Sequence, residues 1–140
     1  MMISKEELTE FLHSEFPQTK CSIDEVGNRG AIVRHRVGQD ELRPGGTVSG
    51  PVMMTTADVA LYVAILGEIG LVPLAVTTSL TINFLRKPSP QKDIIGKCTL
   101  IKVGRILVVG EVELYSDGEA EPVAHVIGTY SIPPTKINND

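Results

Sequence analysis

Apolar positions recur at helical intervals at the start of the chain. Leu8 and Leu12 stand one turn apart, as expected for the buried face of an amphipathic helix. Ser4 and Glu7 precede them with the spacing of a capping box, in which each residue's side chain satisfies the other's backbone N–H. The pattern predicts a short helix over about residues 4–15.

A second helical segment is apolar around most of its circumference. Nearly every residue from 51 to 66 is apolar or small, and a helix of that kind must be surrounded by protein. Pro51 suits the first helical position, where a missing N–H costs nothing. Gly67 and Gly70 mark the predicted end of this central helix.

The remaining segments read as strands. Two extended runs flank the turn signal at residues 27–30, which predicts a hairpin. In its second arm Ala31, Val33 and His35 share one face. DELRPGG is expected to be a loop and residues 133–140 a frayed tail. Four further strand-like runs, separated by turn signals, follow the central helix: AVTTSLTINFL, KDIIGKCTLIKVG, RILVVGEVELYS and PVAHVIGTYSI.

This order of elements predicts an α+β fold. A single apolar helix needs a curved antiparallel sheet to wrap it, with one sheet face turned inward. We therefore expect one domain over residues 1–140. The other sheet face still carries apolar residues, so we expect a partner subunit to cover part of it.

Composition and charge exclude several classes of function. The net charge of −4 argues against nucleic-acid binding, which needs a basic surface. We expect no membrane span and a cytoplasmic protein. Cys21 and Cys98 are far apart and lack the spacing of a metal or redox motif, so no metal site is predicted.

Asp58 is the only charged residue between positions 45 and 64. An ionised carboxylate in an apolar setting costs several kcal/mol unless it is paired or solvated. One interpretation is structural: Asp58 accepts hydrogen bonds from Thr55, Thr77 or a neighbouring subunit and pins the helix. The other is catalytic: Asp58 faces a cleft and acts as general base or nucleophile without a metal.

The start of the central helix offers a complementary group. In Ser49-Gly50-Pro51 a glycine N–H stands at a helix N-terminus, where backbone donors and the helix dipole favour negative charge. Asp58 follows about two turns later, on the order of 10 Å away. A thioester carbonyl could therefore be polarised by Gly50 while Asp58, from the opposite subunit, activates water.

Two segments resemble a known family. SGPVMMTTADVALYVAI and TTSLTINFLRKP resemble hotdog-fold acyl-CoA thioesterases of the PaaI type. In that family a helix beginning His-Gly-Gly carries an aspartate nine residues after the His, and a strand with the ending Ile-x-Phe-Leu-Arg-Pro follows. The likeness spans about residues 20–132. It implies the hotdog fold, a curved antiparallel sheet around one long central helix.

The resemblance assigns roles to matching positions. Asp58 matches the family's catalytic carboxylate, and Gly50 matches the glycine whose N–H polarises the thioester carbonyl. Thr77, or its neighbour Thr78, matches the hydroxyl residue that helps to place the attacking water.

Basic residues match the positions where the family binds coenzyme A. Arg86 and Lys87 end the strand of the second segment, and Arg105 follows a hairpin glycine. Lysine and arginine both suit phosphate. The alternative for each is a solvated surface cation.

Three positions depart from the family pattern. Ser49 replaces the His, Pro51 replaces the second Gly, and Arg43 replaces the polar residue about six positions earlier. Ser49 can make a hydrogen bond but supplies no imidazole. Arg43 at the site mouth would favour an anionic group or pair with Asp58.

Three hypotheses follow for the function. The first is an acyl-CoA thioesterase, with coenzyme A as part of the substrate and no separate cofactor, forming a homodimer or a dimer-of-dimers tetramer. The second is a catalytically silent hotdog module that binds acyl-CoA or an assembly partner. The third, a hotdog dehydratase or hydratase, is disfavoured because His13, His35 and His125 all lie outside the central helix.

Overall fold

The computed structural model describes residues 3–134. Its elements, in chain order, are α1 (Lys5–Glu15), β1 (Cys21–Gly27), β2 (Gly30–His35), a 3₁₀ turn (Gln39–Glu41), β3 (Leu42–Arg43), β4 (Thr47–Val48), α2 (Gly50–Ile69), β5 (Val76–Phe84), β6 (Ile94–Val103), β7 (Leu107–Ser116) and β8 (Ala124–Ser131).

One antiparallel sheet holds six of the strands. Their spatial order is β1-β2-β6-β7-β8-β5, and β3 pairs with β4 in a small separate ribbon. The large sheet curves around α2, and its inward side chains form one core with the helix. This is the hotdog arrangement, so the predicted fold class is confirmed.

The helix α2 begins and ends beyond its predicted bounds. Gly50, not Pro51, takes the first helical position, and the helix continues through Gly67 to Ile69 before Gly70 ends it. Gly67 lies inside the helix, at a position where a Cβ would lie 2.7 Å from Val26 Cγ2. Glycine at 67 therefore serves close packing rather than helix termination.

Most of α2 is enclosed by the rest of the fold. By length and apolar character alone it could cross a membrane. However, eleven of its twenty residues are buried in the described part of the chain. Its apolar surface therefore builds the core.

Three other local predictions have different outcomes. Ser4 and Glu7 form the reciprocal capping box of α1. The DELRPGG segment is not a plain loop, because it contains the last two residues of the 3₁₀ turn, β3 and the turn between β3 and β4. The predicted tail at 133–140 lies almost entirely outside the described residues.

Candidate active site

Asp58 lies in the wall of an open cavity. It sits midway along the face of α2 that looks toward β5 and β8, and it is half-buried. The cavity has a volume of about 780 Å³ and is lined on another side by Leu12 of α1 and by Phe16, which follows that helix. Among the described residues that line it, Asp58 is the only charged one. The carboxylate thus has access to a mostly apolar space of the size that binds small molecules.

Two hydroxyl groups hold one oxygen of this carboxylate. Thr77 Oγ1 donates to Asp58 Oδ1 at 2.6 Å, and the Tyr130 hydroxyl donates to the same oxygen at 2.7 Å. Among residues 3–134, no hydrogen bond to Oδ2 is formed. Oδ1 is therefore pinned, in part as the structural interpretation expects, whereas the lone pairs of Oδ2 have no partner within residues 3–134. The catalytic role of Asp58 stays a prediction.

A β-bulge places Thr77 where it can reach Asp58. In the β5–β8 pairing Thr77 lies opposite Tyr130, but Ser79 lies opposite Thr129, so Thr78 is an extra residue. Because side chains alternate along a strand, the bulge lets Thr77 share the helix-facing side with Leu80. The Thr78 hydroxyl instead donates to the Thr129 carbonyl at 3.3 Å. Of the two predicted threonines, only Thr77 contacts the carboxylate.

Tyr130 is the site residue that the sequence did not reveal. It is the last inward-facing residue of β8 and is 3% exposed. Burial, and then the charge of Asp58, raise the pKa of its hydroxyl well above the usual range, so it remains a donor. Sequence alternation in PVAHVIGTYSI gives its inward direction, but only the fold brings it to Asp58.

Gly50 provides an available N–H at the start of α2. The Ser49 hydroxyl accepts from Val52 N–H at 3.4 Å and so caps the helix. The N–H of Gly50 has no hydrogen-bond partner within the described chain. A Cβ on Gly50 would lie 3.3 Å from the ring of Phe84, which places the end of β5 beside the helix start. This end of the site combines a backbone donor with an apolar ring.

Gly50 and Asp58 of one chain cannot act on the same carbonyl. Eight residues of helix separate them, about 12 Å along the axis. Gly50 lies near Phe84 at the end of β5, whereas Asp58 contacts Thr77 at its beginning. The two groups therefore mark opposite ends of the same strand.

The predicted coenzyme A cations divide between these two ends. Arg86 and Lys87 follow β5 directly, at the Phe84 end. Arg105 lies in the β6–β7 turn, next to the residues of β7 and β8 that adjoin the start of β5. Seven residues of β7 separate the two ends, about 24 Å. One chain does not bring the three cations together.

The individual cations are exposed, and some are already paired. Arg86 bonds the Pro122 carbonyl at 2.9 Å through Nε and the Glu121 carboxylate at 3.1 Å through a terminal nitrogen. Arg43 lies exposed in β3 and forms no ion pair with Asp58. Of the two alternatives for Arg43, pairing with Asp58 is therefore not formed within residues 3–134, and a contact with an anionic group stays a prediction.

The remaining histidines and cysteines supply no alternative centre within residues 3–134. His35 is buried against the Arg36 carbonyl at 2.7 Å, and His125 contacts Glu111 at 2.7 Å. Both cysteines are buried, and burial raises the pKa of the Cys21 thiol to about 11 and of Cys98 to about 12, so neither is a ready nucleophile. No cluster of three metal-ligating side chains occurs in this range.

Comparisons with known proteins bear on the family and the fold. The family model of the thioesterase superfamily matches residues 45–123. A proposed thioesterase from Silicibacter sp. TM1040 is 42% identical, with a TM-score of 0.88 and coverage of 96% of this chain and 95% of that one. No curated protein matches the chain.

Two more distant structures share the fold. Zebrafish thioesterase superfamily member 2 is 19% identical, with a TM-score of 0.82 and coverage of 94% of this chain and 99% of that one. The E. coli PaaI protein from the phenylacetic acid degradation operon is 20% identical, with a TM-score of 0.73 and coverage of 91% and 92%.

Proposed function

We propose that this chain, which belongs to the thioesterase superfamily, hydrolyses acyl-coenzyme A thioesters to a free acid and coenzyme A. Membership of the superfamily supports thioester hydrolysis in general. The observation that carries the finer proposal is Asp58, a carboxylate with one pinned oxygen and one free oxygen in the wall of an apolar cavity.

The reaction needs a base or nucleophile and a donor for the developing oxyanion. Asp58 Oδ2 either takes a proton from the attacking water or attacks the carbonyl carbon itself. The N–H of Gly50 donates to the carbonyl oxygen as it gains negative charge. The C–S bond then breaks, and the thiolate of coenzyme A leaves and takes up a proton. Where Asp58 is the nucleophile, this step leaves a mixed anhydride, which water hydrolyses to release the free acid and restore the carboxylate. The acyl group occupies the apolar cavity beside Asp58.

A second copy of the chain is needed to bring these two groups together. In the described chain β5 pairs only with β8, so its outer edge is free. That strand also exposes large apolar side chains, with Val76 54% and Phe84 52% exposed. A free strand edge with exposed apolar residues is a template for pairing with another strand. We therefore assign β5 to the subunit interface of a homodimer, which can pair further into a tetramer.

Antiparallel pairing of two β5 strands would complete the site. The Phe84 end of one copy would then lie beside the Val76 end of the other. Gly50 of the first copy, with Arg86 and Lys87 behind it, would approach Asp58 of the second copy. Arg105 of the second copy would join the same seam, so that the cations split in one chain could together hold the phosphates of coenzyme A.

The catalytic role of Asp58 is tested by thiol release. Wild-type protein should release thiol from part of a panel of short, long, hydroxylated and aryl acyl-CoAs. Asp58→Asn should lower kcat by about 10²–10⁴-fold, the usual contribution of a positioned acid or base. Asp40→Asn, at a carboxylate 88% exposed and outside the cavity, is the matched control and should turn over normally. An Asp58→Asn protein with undiminished turnover would exclude this mechanism.

The shared site is tested by subunit complementation. Gly50→Pro removes the N–H at a position where helices tolerate proline, and by itself should lower kcat by about 10²–10³-fold. A mixed dimer of Gly50→Pro and Asp58→Asn chains would contain one intact site and one doubly defective site, so coexpression should restore activity. If both groups acted within one chain, the mixed protein would stay inactive.

One observation favours the second hypothesis, a catalytically silent module that binds acyl-CoA or an assembly partner. Ser49 uses its hydroxyl to cap α2, so it does not replace the chemistry of the family's His. Saturable coenzyme A binding without hydrolysis of any member of the panel would favour that function over catalysis.

A further inference from the structure

We infer that Tyr130 is a positioning residue that fixes which oxygen of Asp58 reacts, an inference that rests on the proposed function. The geometry supporting it is the convergence of two hydroxyl donors on Oδ1 alone. A carboxylate can rotate about its terminal torsion, and its two oxygens are chemically equivalent when it is free. Hydrogen bonds to one oxygen remove that equivalence and leave the other directed to the cavity.

The two donors come from directly opposed residues of neighbouring strands. Tyr130 and Thr77 are register partners in the β5–β8 pairing, where side chains of opposed residues stand about 5 Å apart. Each reaches the same carboxylate oxygen of the helix that crosses them. The pair therefore acts as a two-point clamp on Asp58.

Tyr130 is the more rigid member of this clamp. Thr77 lies on the edge strand and is exposed, whereas Tyr130 is 3% exposed in β8, between β7 and β5. Its ring also packs at 6.2 Å from the ring of Tyr62, which contacts Phe16 edge-on at 5.7 Å. A buried tyrosine hydroxyl needs a hydrogen-bond partner. The ring packing and the hydrogen bond to Asp58 together therefore fix the position of the Tyr130 hydroxyl.

The Tyr130 hydroxyl has a second acceptor nearby, the main-chain carbonyl of Asp58 at 3.2 Å. A purely structural role would direct the hydroxyl to that carbonyl and would leave the chemistry unaffected. The carboxylate oxygen is closer, at 2.7 Å, and a charged acceptor forms the stronger bond. The two roles make different predictions for the kinetics.

Tyr130→Phe provides the first test. With a substrate that the wild-type protein hydrolyses, kcat should fall by about tenfold to a hundredfold, the equivalent of one hydrogen bond to a charged group, while KM changes less than kcat. Tyr115→Phe is the control, because it also removes a tyrosine hydroxyl bonded to a carboxylate, at 2.9 Å from Glu113, but outside the cavity. Its kcat should match the wild type. The inference would be overturned if Tyr130→Phe left kcat unchanged, including the case in which only KM rose.

A double-mutant cycle separates this inference from the proposed function. In an Asp58→Asn background, Tyr130→Phe should cost no further activity, because both changes act through one carboxylate. Additive losses would show that Tyr130 acts elsewhere, although Asp58 remained catalytic. If Asp58→Asn were itself fully active, the proposed function would fail instead.

A structural readout does not depend on turnover. A crystal structure of the Thr77→Val, Tyr130→Phe double variant should show the Asp58 carboxylate in a new rotamer or in two conformers. Thr77→Ser, which keeps a hydroxyl, should preserve the original rotamer. A carboxylate that kept its place without either donor would contradict the clamp, whether or not hydrolysis is measured.

Discussion

The packing of α2 against the sheet depends on two glycines that face one leucine. Gly110 in β7 and Gly128 in β8 are register partners. A Cβ on Gly128 would lie 2.4 Å from Leu61 Cδ1, and a Cβ on Gly110 would lie 2.5 Å from Leu61 Cδ2. Leu61 thus occupies the space that side chains at both positions would need. We predict that Gly128→Ala destabilises the protein.

The magnitude follows from how little Leu61 can move. Its side chain is 0% exposed, and it would have to retreat by about 1 Å to regain ordinary van der Waals contact. Overpacking of a closed core costs about 1–3 kcal/mol. For a domain of this size, that loss corresponds to about 3–10 °C in Tm. Because Leu61 lies one turn after Asp58, a shift of the helix would also displace the carboxylate.

Thermal and urea unfolding measure this effect, and a double-mutant cycle tests its cause. Gly38→Ala is the matched control, because its φ of −133° suits alanine and the nearest atom would be 3.5 Å away. In a Leu61→Ala background, Gly128→Ala should destabilise much less, because the remaining close contact is with Leu80 Cδ1 at 3.0 Å. The reasoning would be refuted by a neutral Gly128→Ala, or by the same loss with and without Leu61.

Two further predictions concern the approach to α2. The side chain of Glu41 is 7% exposed and pairs with Lys20. It also accepts a hydrogen bond from the Gly38 N–H at 2.6 Å. The contact with Lys20 holds the pKa of Glu41 below its ordinary value of 4.5. The pair therefore stabilises the protein above the unfolded-state pKa and loses its effect as pH falls through the folded-state pKa. Glu41→Gln should lower Tm at neutral pH by an amount that shrinks in acid, and a pH-independent difference would contradict this. At Gly50, alanine should lower hydrolysis far less than proline because it keeps the N–H, and equal losses would argue against an oxyanion donor there.

The sequence predicted the fold well because its strongest signals are local and repeated. The apolar run of α2 indicates a buried helix, and the β-branched runs indicate strands. Few folds accommodate both. The sequence pattern placed the end of α2 too early, at Gly67. A glycine that makes room for Val26 cannot be distinguished in sequence from a glycine that ends a helix. Only the packed fold distinguishes the two.

The site was predictable in part. Asp58 stands out as a charge in an apolar helix, and Gly50 as a donor at a helix start. Tyr130 could not be assigned, because its contact depends on the register between β5 and β8 and on the bulge at Thr78. The separation of Arg105 from Arg86 likewise comes from the sheet topology. The β6–β7 turn lies near the start of β5, whereas Arg86 follows its end.

The exchange of the family's His for Ser49 has a physical rationale in the structure. Serine is among the preferred N-cap residues, and its hydroxyl accepts a hydrogen bond from the Val52 N–H, which would otherwise lack a partner. The Ser49 backbone N–H also bonds the Glu41 carbonyl at 2.9 Å, so the residue is fixed on both sides. The start of α2 is thereby held in place while the N–H of Gly50 stays free. Position 49 thus fixes the backbone around the Gly50 N–H, the group that we propose as the oxyanion donor.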